Sequence, residues 1–161
     1  MGASQKSMTT ITLNRQELRA AAQAGIERRL NGIAKKRPAF YGADTRKNEW
    51  QIDIIGSIAE YAVAKHLNVY WEPATNINNL DTLPGDVAHY QVRSTCWPTG
   101  QLIIHERDRN HSPFILAIVN NNEIRLAGWI YGHQGKTIGE QHDHGDYWIP
   151  QNKLQPIERL P

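Results

Sequence analysis

A chain of 161 residues, 40% hydrophobic and 21% charged, fits one domain (residues 1–161) with a core that needs no disulfide. The lone Cys96 excludes an intramolecular disulfide and suits a reducing, cytoplasmic setting. The longest apolar run, Phe114 to Val119, is too short to span a bilayer, and Met1 to Thr10 lacks the apolar segment of a secretory signal.

The charge is uneven. Residues 1–50 hold ten Lys/Arg and four Asp/Glu, whereas residues 51–161 hold eight and twelve. A basic half attracts a phosphate backbone, and an acidic half can hold a cation. A solvated helix face has the same composition.

Residues 1–8 are expected to be disordered, with Met8 an alternative start. Thr9 to Leu13 is β-prone. Asn14, with Glu17 three residues on, predicts a capped helix to about Lys36, with a buried stripe of Leu18, Ala22, Ile26, Leu30 (or Arg29) and Ile33. A second helix is predicted from about Arg46 to Leu67, buried through Ile52, Ile55, Ala59, Ala62 and Val63 and stopped at Asn68. Val69 to Trp71 reads as a strand and Pro73 to Pro84 as a polar loop. Strands follow at Asp86 to Thr95, Gln101 to His105, Phe114 to Val119 and Glu123 to Tyr131, the last two joined by an Asn120-Asn121-Asn122 turn. Gly132 to Asp146, rich in Gly and His, reads as a mobile loop. Tyr147 to Ile149 is a last short strand, and Asn152 to Leu160 a closing turn or short helix. Helices followed by a strand meander predict an α/β chain of mixed α+β type, a central mixed β-sheet flanked by helices.

Two segments carry the chemistry. Glu60 has Gly56, Ser57 and Ala64 as its helical neighbours, so another backbone can approach it closely. A carboxylate on such a surface is costly unless it binds something. Asp86 follows Gly85 where the chain turns into a strand, and Gln91 and Arg93 share one face of that strand. Oxygen ligands from Asp86, Glu60 and Gln91 suit a hard cation such as Mg²⁺ or Mn²⁺, which activates a water for attack on phosphorus. Arg93 is placed to clamp the phosphate.

This arrangement resembles the PD-(D/E)XK nuclease superfamily, whose pattern is a helix glutamate, an aspartate at a strand start and then (D/E)xK. It is similar above all to a group of small phage and metagenomic proteins with a GExAVAxxL helix, a GDxxxxEVRST segment, a strand ending in D and a GWIxG strand. The matching pieces are Ala59 to Leu67, Gly85 to Thr95, Asp108, Gly128 to Gly132 and Tyr147 to Pro150, across about residues 50–155. The resemblance implies a restriction-endonuclease-like core, Mg²⁺ dependence and hydrolysis of DNA phosphodiesters in an intracellular, phage-encoded setting. Two departures stand out. Gln91 brings no negative charge where the family has Asp or Glu. Arg93, in place of Lys, cannot lose a proton and so cannot act as a base.

Each residue also has an ordinary reading: Glu60 as a solvated helix acid, Asp86 as a turn residue, and Gln91 and Arg93 as an exposed strand face. Glu72, Asp81 and Asp108 are further acids. His142 and His144, with Asp143 and Asp146, form a further candidate metal cluster or a solvated loop, and His133 and Lys136 are candidate DNA contacts. Nucleic-acid contact is expected from Arg15, Arg19, Arg28, Lys35, Lys36, Arg46 and Lys47, from Ser94 and Thr95, and from Trp97 by base stacking. Trp50, Trp71, Trp129 and Trp148 are expected in the core or a dimer interface. The expected function is a Mg²⁺-dependent deoxyribonuclease with Glu60, Asp86, Gln91 and Arg93 at its centre, acting as a homodimer because cutting both strands takes two sites. The alternatives are a DNA- or protein-binding member of the same fold without cleavage, and a metal-free structural protein of a phage.

Overall fold

The computed structural model describes residues 8–35, 48–73 and 85–161. In chain order it forms β1 (Thr9–Thr12), α1 (Arg15–Ala34), α2 (Glu49–Leu67), β2 (Gln91–Thr95), β3 (Leu102–His105), β4 (Pro113–Asn120), β5 (Glu123–Tyr131), α3 (Gly132–Ile138), β6 (Glu140–Gln141) and β7 (Asp146–Ile149). Two short 3-10 turns, Gln151–Lys153 and Ile157–Arg159, follow β7.

Asn14 starts α1 through a full capping box: its side chain accepts from the Glu17 N–H, and Glu17 accepts from the Asn14 N–H at 2.8 Å. Asn48 caps α2, and Asn68 ends it in the left-handed conformation, φ 53°. The two helices cross closely because α1 presents small residues, Ala21, Ala24, Gly25 and Gly32, where the contact is buried. A Cβ on Gly25 would lie 2.5 Å from the Ile54 Cα.

A four-stranded mixed sheet has the order β1-β5-β4-β2, with β2 parallel to β4 and the other pairs antiparallel. A separate antiparallel sheet has the order β3-β7-β6. Ile115, Ala117 and Val119 of β4 pack with Ala59, Ala62 and Val63 of α2. Phe114, Leu116 and Ile118 point the other way, onto Leu102, Ile104 and Ile149 of the second sheet. Covered on both faces, β4 is buried from Pro113 to Val119, which explains its continuous apolar run. A bulge opposite Leu116/Ala117, with Gly128 at φ +147°, shifts the alternation of β5. Trp129 thus stays on the helix side while Ile130 joins the inter-sheet core.

The mixed α/β class follows expectation, and the layering differs from it. Helices cover only one face of the central sheet, and the second sheet covers the other. The α1 stripe is also corrected. Arg29, the alternative to Leu30, is buried, whereas Leu30 and Ile33 are 46% and 53% exposed and the small residues are inside. Val69 to Trp71 forms no strand. The Gly/His-rich stretch after Tyr131 is ordered as α3, β6 and the start of β7, not a loop. The expected start of the second helix at Arg46, the polar loop over 74–84 and the first seven residues lie outside the described residues.

Candidate functional site

Glu60 sits on the buried side of α2, where the close approach of α1 brings an arginine across. The Arg28 guanidinium holds both of its oxygens, Nη1 to Oε1 at 3.0 Å and Nη2 to Oε2 at 2.6 Å. Trp71 Nε1–H adds a third donor, 3.3 Å from Oε2. Burial pushes the Glu60 carboxyl above the usual carboxylate range, Arg28 pulls against that, and the charge of Asp86 pushes it up further. Burial also works against the charge of Arg28, but Glu60, helped by Asp86, holds its pKa above the ordinary value.

Asp86 stands before a tight turn, Val87 to Tyr90, in which Ala88 has φ 51° and the Asp86 N–H donates to the Tyr90 carbonyl. The turn folds the chain back so that the Val92 N–H reaches Asp86 Oδ2 at 2.8 Å. Asp86 Oδ1 takes no hydrogen bond from a described residue. Burial raises the Asp86 pKa, the Val92 N–H, Arg93 and Arg28 lower it, and Asp108 raises it. Asp86 therefore lies within electrostatic reach of both Glu60 and Arg28.

Gln91 and Arg93 do not join them on the same face. Val92 packs in the helix-side core with its register partner Ile115. Gln91 and Arg93 alternate with it and point to the second sheet, beside their partners Phe114 and Leu116. Arg93 lies over the Phe114 ring at 5.0 Å, donates Nε–H to the Ile103 carbonyl at 3.2 Å and pairs with Asp108 at 2.8 Å. Asp108 also accepts the His105 N–H at 2.8 Å. Asp108, ranked among the secondary acids in the sequence, is thus the direct partner of Arg93. Its signal is positional only: an acid in the turn that follows β3.

Two of the structure's arginine–carboxylate pairs therefore flank these segments, Arg28–Glu60 on the helix side and Arg93–Asp108 on the far side of β2, with Asp86 between them in electrostatic terms. Oxygen donors of this kind suit Mg²⁺ in type. Their arrangement does not fit it: Arg28 fills both Glu60 oxygens, Gln91 faces away from Glu60, and no group of three or more His, Cys, Asp or Glu side chains among the described residues could hold a metal. The His142/His144 loop forms no such cluster either. His142 stacks on Trp148 at 4.4 Å, and Asp146 pairs with His105.

Of the expected nucleic-acid contacts, Arg15, Arg19, Lys35 and Trp97 are exposed, and Ser94 and Thr95 are half-buried. Arg28 is corrected: it points inward to Glu60, with 13% of its side chain exposed. Lys36, Arg46 and Lys47 lie outside the described residues. Trp97 is 74% exposed on a turn held by Arg125 and Gln151, which donate to the Pro98 carbonyl. Lys136 is spent on structure, donating to the Glu106 and Asp108 carbonyls and to Asn110 Oδ1. Of the remaining tryptophans, Trp129 is in the core, Trp71 packs edge-on to Tyr61, and Trp50 is 39% exposed. Among the described residues, no helix is long and apolar enough to cross a membrane. No family model, curated protein or solved structure matches the chain.

Proposed function

We propose that this chain is a DNA-binding protein of PD-(D/E)XK-like descent in which arginines take the place of the metal, so that it holds a phosphate backbone without cutting it. The observation that carries this reading is the two-point grip of Arg28 on Glu60. It fills the carboxylate that a cation would need with a fixed positive charge. Gln91 in place of an acid and Arg93 in place of a lysine point the same way: the first weakens cation binding, and the second removes a proton acceptor. The exposed Arg15 and Arg19 and the rigidly presented Trp97 supply electrostatic attraction and a stacking face.

A second reading, Mg²⁺- or Mn²⁺-dependent hydrolysis of DNA, is favoured by one observation. Two carboxylates, Glu60 and Asp86, are both raised by burial, and the charge of Asp86 raises Glu60 further, as in groups placed for a cation. It requires Arg28 to leave Glu60. Plasmid DNA incubated with the protein in EDTA, in Mg²⁺ and in Mn²⁺ separates the two. Salt-sensitive retention with intact plasmid in all three supports binding alone. Metal-dependent cutting that Asp86→Ala abolishes establishes hydrolysis instead.

A further inference from the structure

The turn between β2 and β3 holds a tryptophan on a rigid mount. Trp97, Pro98, Thr99 and Gly100 form a four-residue turn, closed by the Gly100 N–H on the Trp97 carbonyl at 2.9 Å. Proline in second place and glycine in fourth suit such a turn. A Cβ on Gly100 would lie 2.4 Å from Thr95 Cγ2 and 3.1 Å from the Trp97 carbonyl oxygen, so glycine lets the turn close tightly. The Trp97 N–H donates to Thr95 Oγ1 at 3.2 Å. Arg125 Nη2 and Gln151 Nε2 donate to the Pro98 carbonyl at 2.8 and 2.9 Å, and Gln151 Nε2 also reaches the Gly100 carbonyl at 2.9 Å. Although its backbone is so firmly held, Trp97 is 74% exposed. Among the described residues its ring meets no other aromatic ring and its Nε1–H no acceptor.

Arg125 brings charge beside the indole. It is half-buried on β5 and faces away from the helix-side core, which takes its neighbours Ile124 and Leu126. Its Nη1 donates to Gln151 Oε1 at 3.0 Å, and its Nη2 holds the Pro98 carbonyl. Both partners are neutral. Among the described residues no carboxylate pairs with it, Glu123 on the same face of β5 included. Residues 94–101 carry no charged side chain of their own. An open aromatic face therefore stands beside a guanidinium without a counter-charge. An apolar partner would cover the indole and leave the guanidinium unmatched, whereas a nucleotide matches both. In a duplex the base faces are stacked on one another, and freeing one costs unstacking and unpairing. An unpaired base offers its face without that cost.

We infer that this turn binds one unpaired nucleotide, its base stacked on Trp97 and its phosphate on Arg125, so that the chain prefers single-stranded DNA to duplex. The inference rests on the DNA-binding reading and narrows its ligand. In EDTA, fluorescence anisotropy follows the binding of a labelled oligothymidylate, a blunt-ended duplex of equal length and an abasic oligonucleotide. The oligothymidylate should bind tightest. Trp97→Ala should weaken it about 5- to 150-fold while the other two scarcely change, and Trp97→Phe should recover most of the loss. Because the indole is uncharged, Trp97→Ala should leave the dependence on salt as it was. Arg125→Gln keeps a donor for the Pro98 carbonyl and should lower the slope of log affinity against log salt by about 0.7 on the single strand. Four results overturn the inference and leave the DNA-binding reading standing: duplex bound as tightly as single strand, Trp97→Ala binding oligothymidylate as the parent does, an equal loss on the abasic strand, or an unchanged slope in Arg125→Gln. Sedimentation of the free protein supplies a further check. A Trp97→Ala variant that loses self-association in place of affinity makes the indole a contact between copies, which also overturns the inference. Retention of none of the three ligands by the parent defeats the DNA-binding reading and the inference with it.

Discussion

At the scale of single residues, Asp86 and Glu60 are charges kept where water reaches them poorly. Both carboxyls have raised pKa values in the folded chain, burial being the first cause. The folded state therefore holds their protons more tightly than the unfolded state does. Their contribution to stability is greatest below the ordinary carboxylate range and is lost as pH rises towards the raised folded values. Asp86→Asn keeps a carbonyl oxygen for the Val92 N–H and removes the charge. At neutral pH it should stabilise the protein by about 0.5–2 kcal/mol, the range common for single stabilising substitutions. It should also flatten the loss of stability with rising pH. Thermal melts from acid to neutral pH check both, and an Asn variant less stable than the parent would refute the electrostatic account. The Arg28–Glu60 pair behaves differently. Arg28→Ala strands a buried carboxylate and should cost about 3–5 kcal/mol in urea unfolding. Arg28→Met with Glu60→Leu removes both charges together and should recover most of that loss. Sequence spacing marked Glu60 and Asp86 as special, since small helical neighbours and a turn glycine are local signals. It could not reveal that Arg28 is the partner of Glu60, because that contact depends on how α1 crosses α2.

At the scale of elements, that crossing is set by side chains that are missing. The alternation of Leu18, Ala22, Ile26, Leu30 and Ile33 is a good helical stripe, yet Leu30 and Ile33 are exposed. The burial of Ala21, Ala24, Gly25 and Gly32 wins because close approach lets Arg28 and Arg29 reach the acids of α2. Hydrophobic periodicity reports which residues avoid water, whereas here the contact is chosen by which residues are small. Gly25→Ala raises intrinsic helix propensity by up to about 1 kcal/mol. It also places a methyl 2.5 Å from the Ile54 Cα and 2.8 Å from the Asp53 carbonyl oxygen. Backbone atoms cannot yield as a flexible side chain can, so overpacking prevails. A net destabilisation of about 1–3 kcal/mol is expected in denaturant unfolding. An unchanged midpoint would mean that the helices are free to separate. The strands were more legible, since β-hairpin chemistry is local. The span of β5 agrees with its alternation, and Asn121 turns at φ 53° between β4 and β5. Long-range features left no local trace: the parallel pairing of β2 with β4, the second sheet, and the sheet face that Gln91 and Arg93 occupy.

At the scale of the whole molecule, the two arginine pairs and the exposed basic residues of α1 divide the charge into two kinds of work. The inward arginines neutralise buried acids and leave little charge for a ligand. On the DNA-binding proposal, attraction to the phosphate backbone therefore falls to residues such as Arg15 and Arg19, exposed in the first turns of α1. A binding role also removes the reason for two copies, because the expectation of a homodimer rested on cutting both strands. Each phosphate neutralised contributes roughly 0.9 to the slope of log affinity against log salt on duplex DNA. If Arg15 and Arg19 each meet one phosphate, replacing both with Ala should reduce that slope by about 1.8. The melting temperature should scarcely change, since neither side chain is buried. Titrations of a labelled duplex across a range of salt concentrations measure the slope directly. A slope that stays the same in the double variant would place the DNA elsewhere on the molecule. It would leave the turn at Trp97, 74% exposed and independent of α1, as the contact surface.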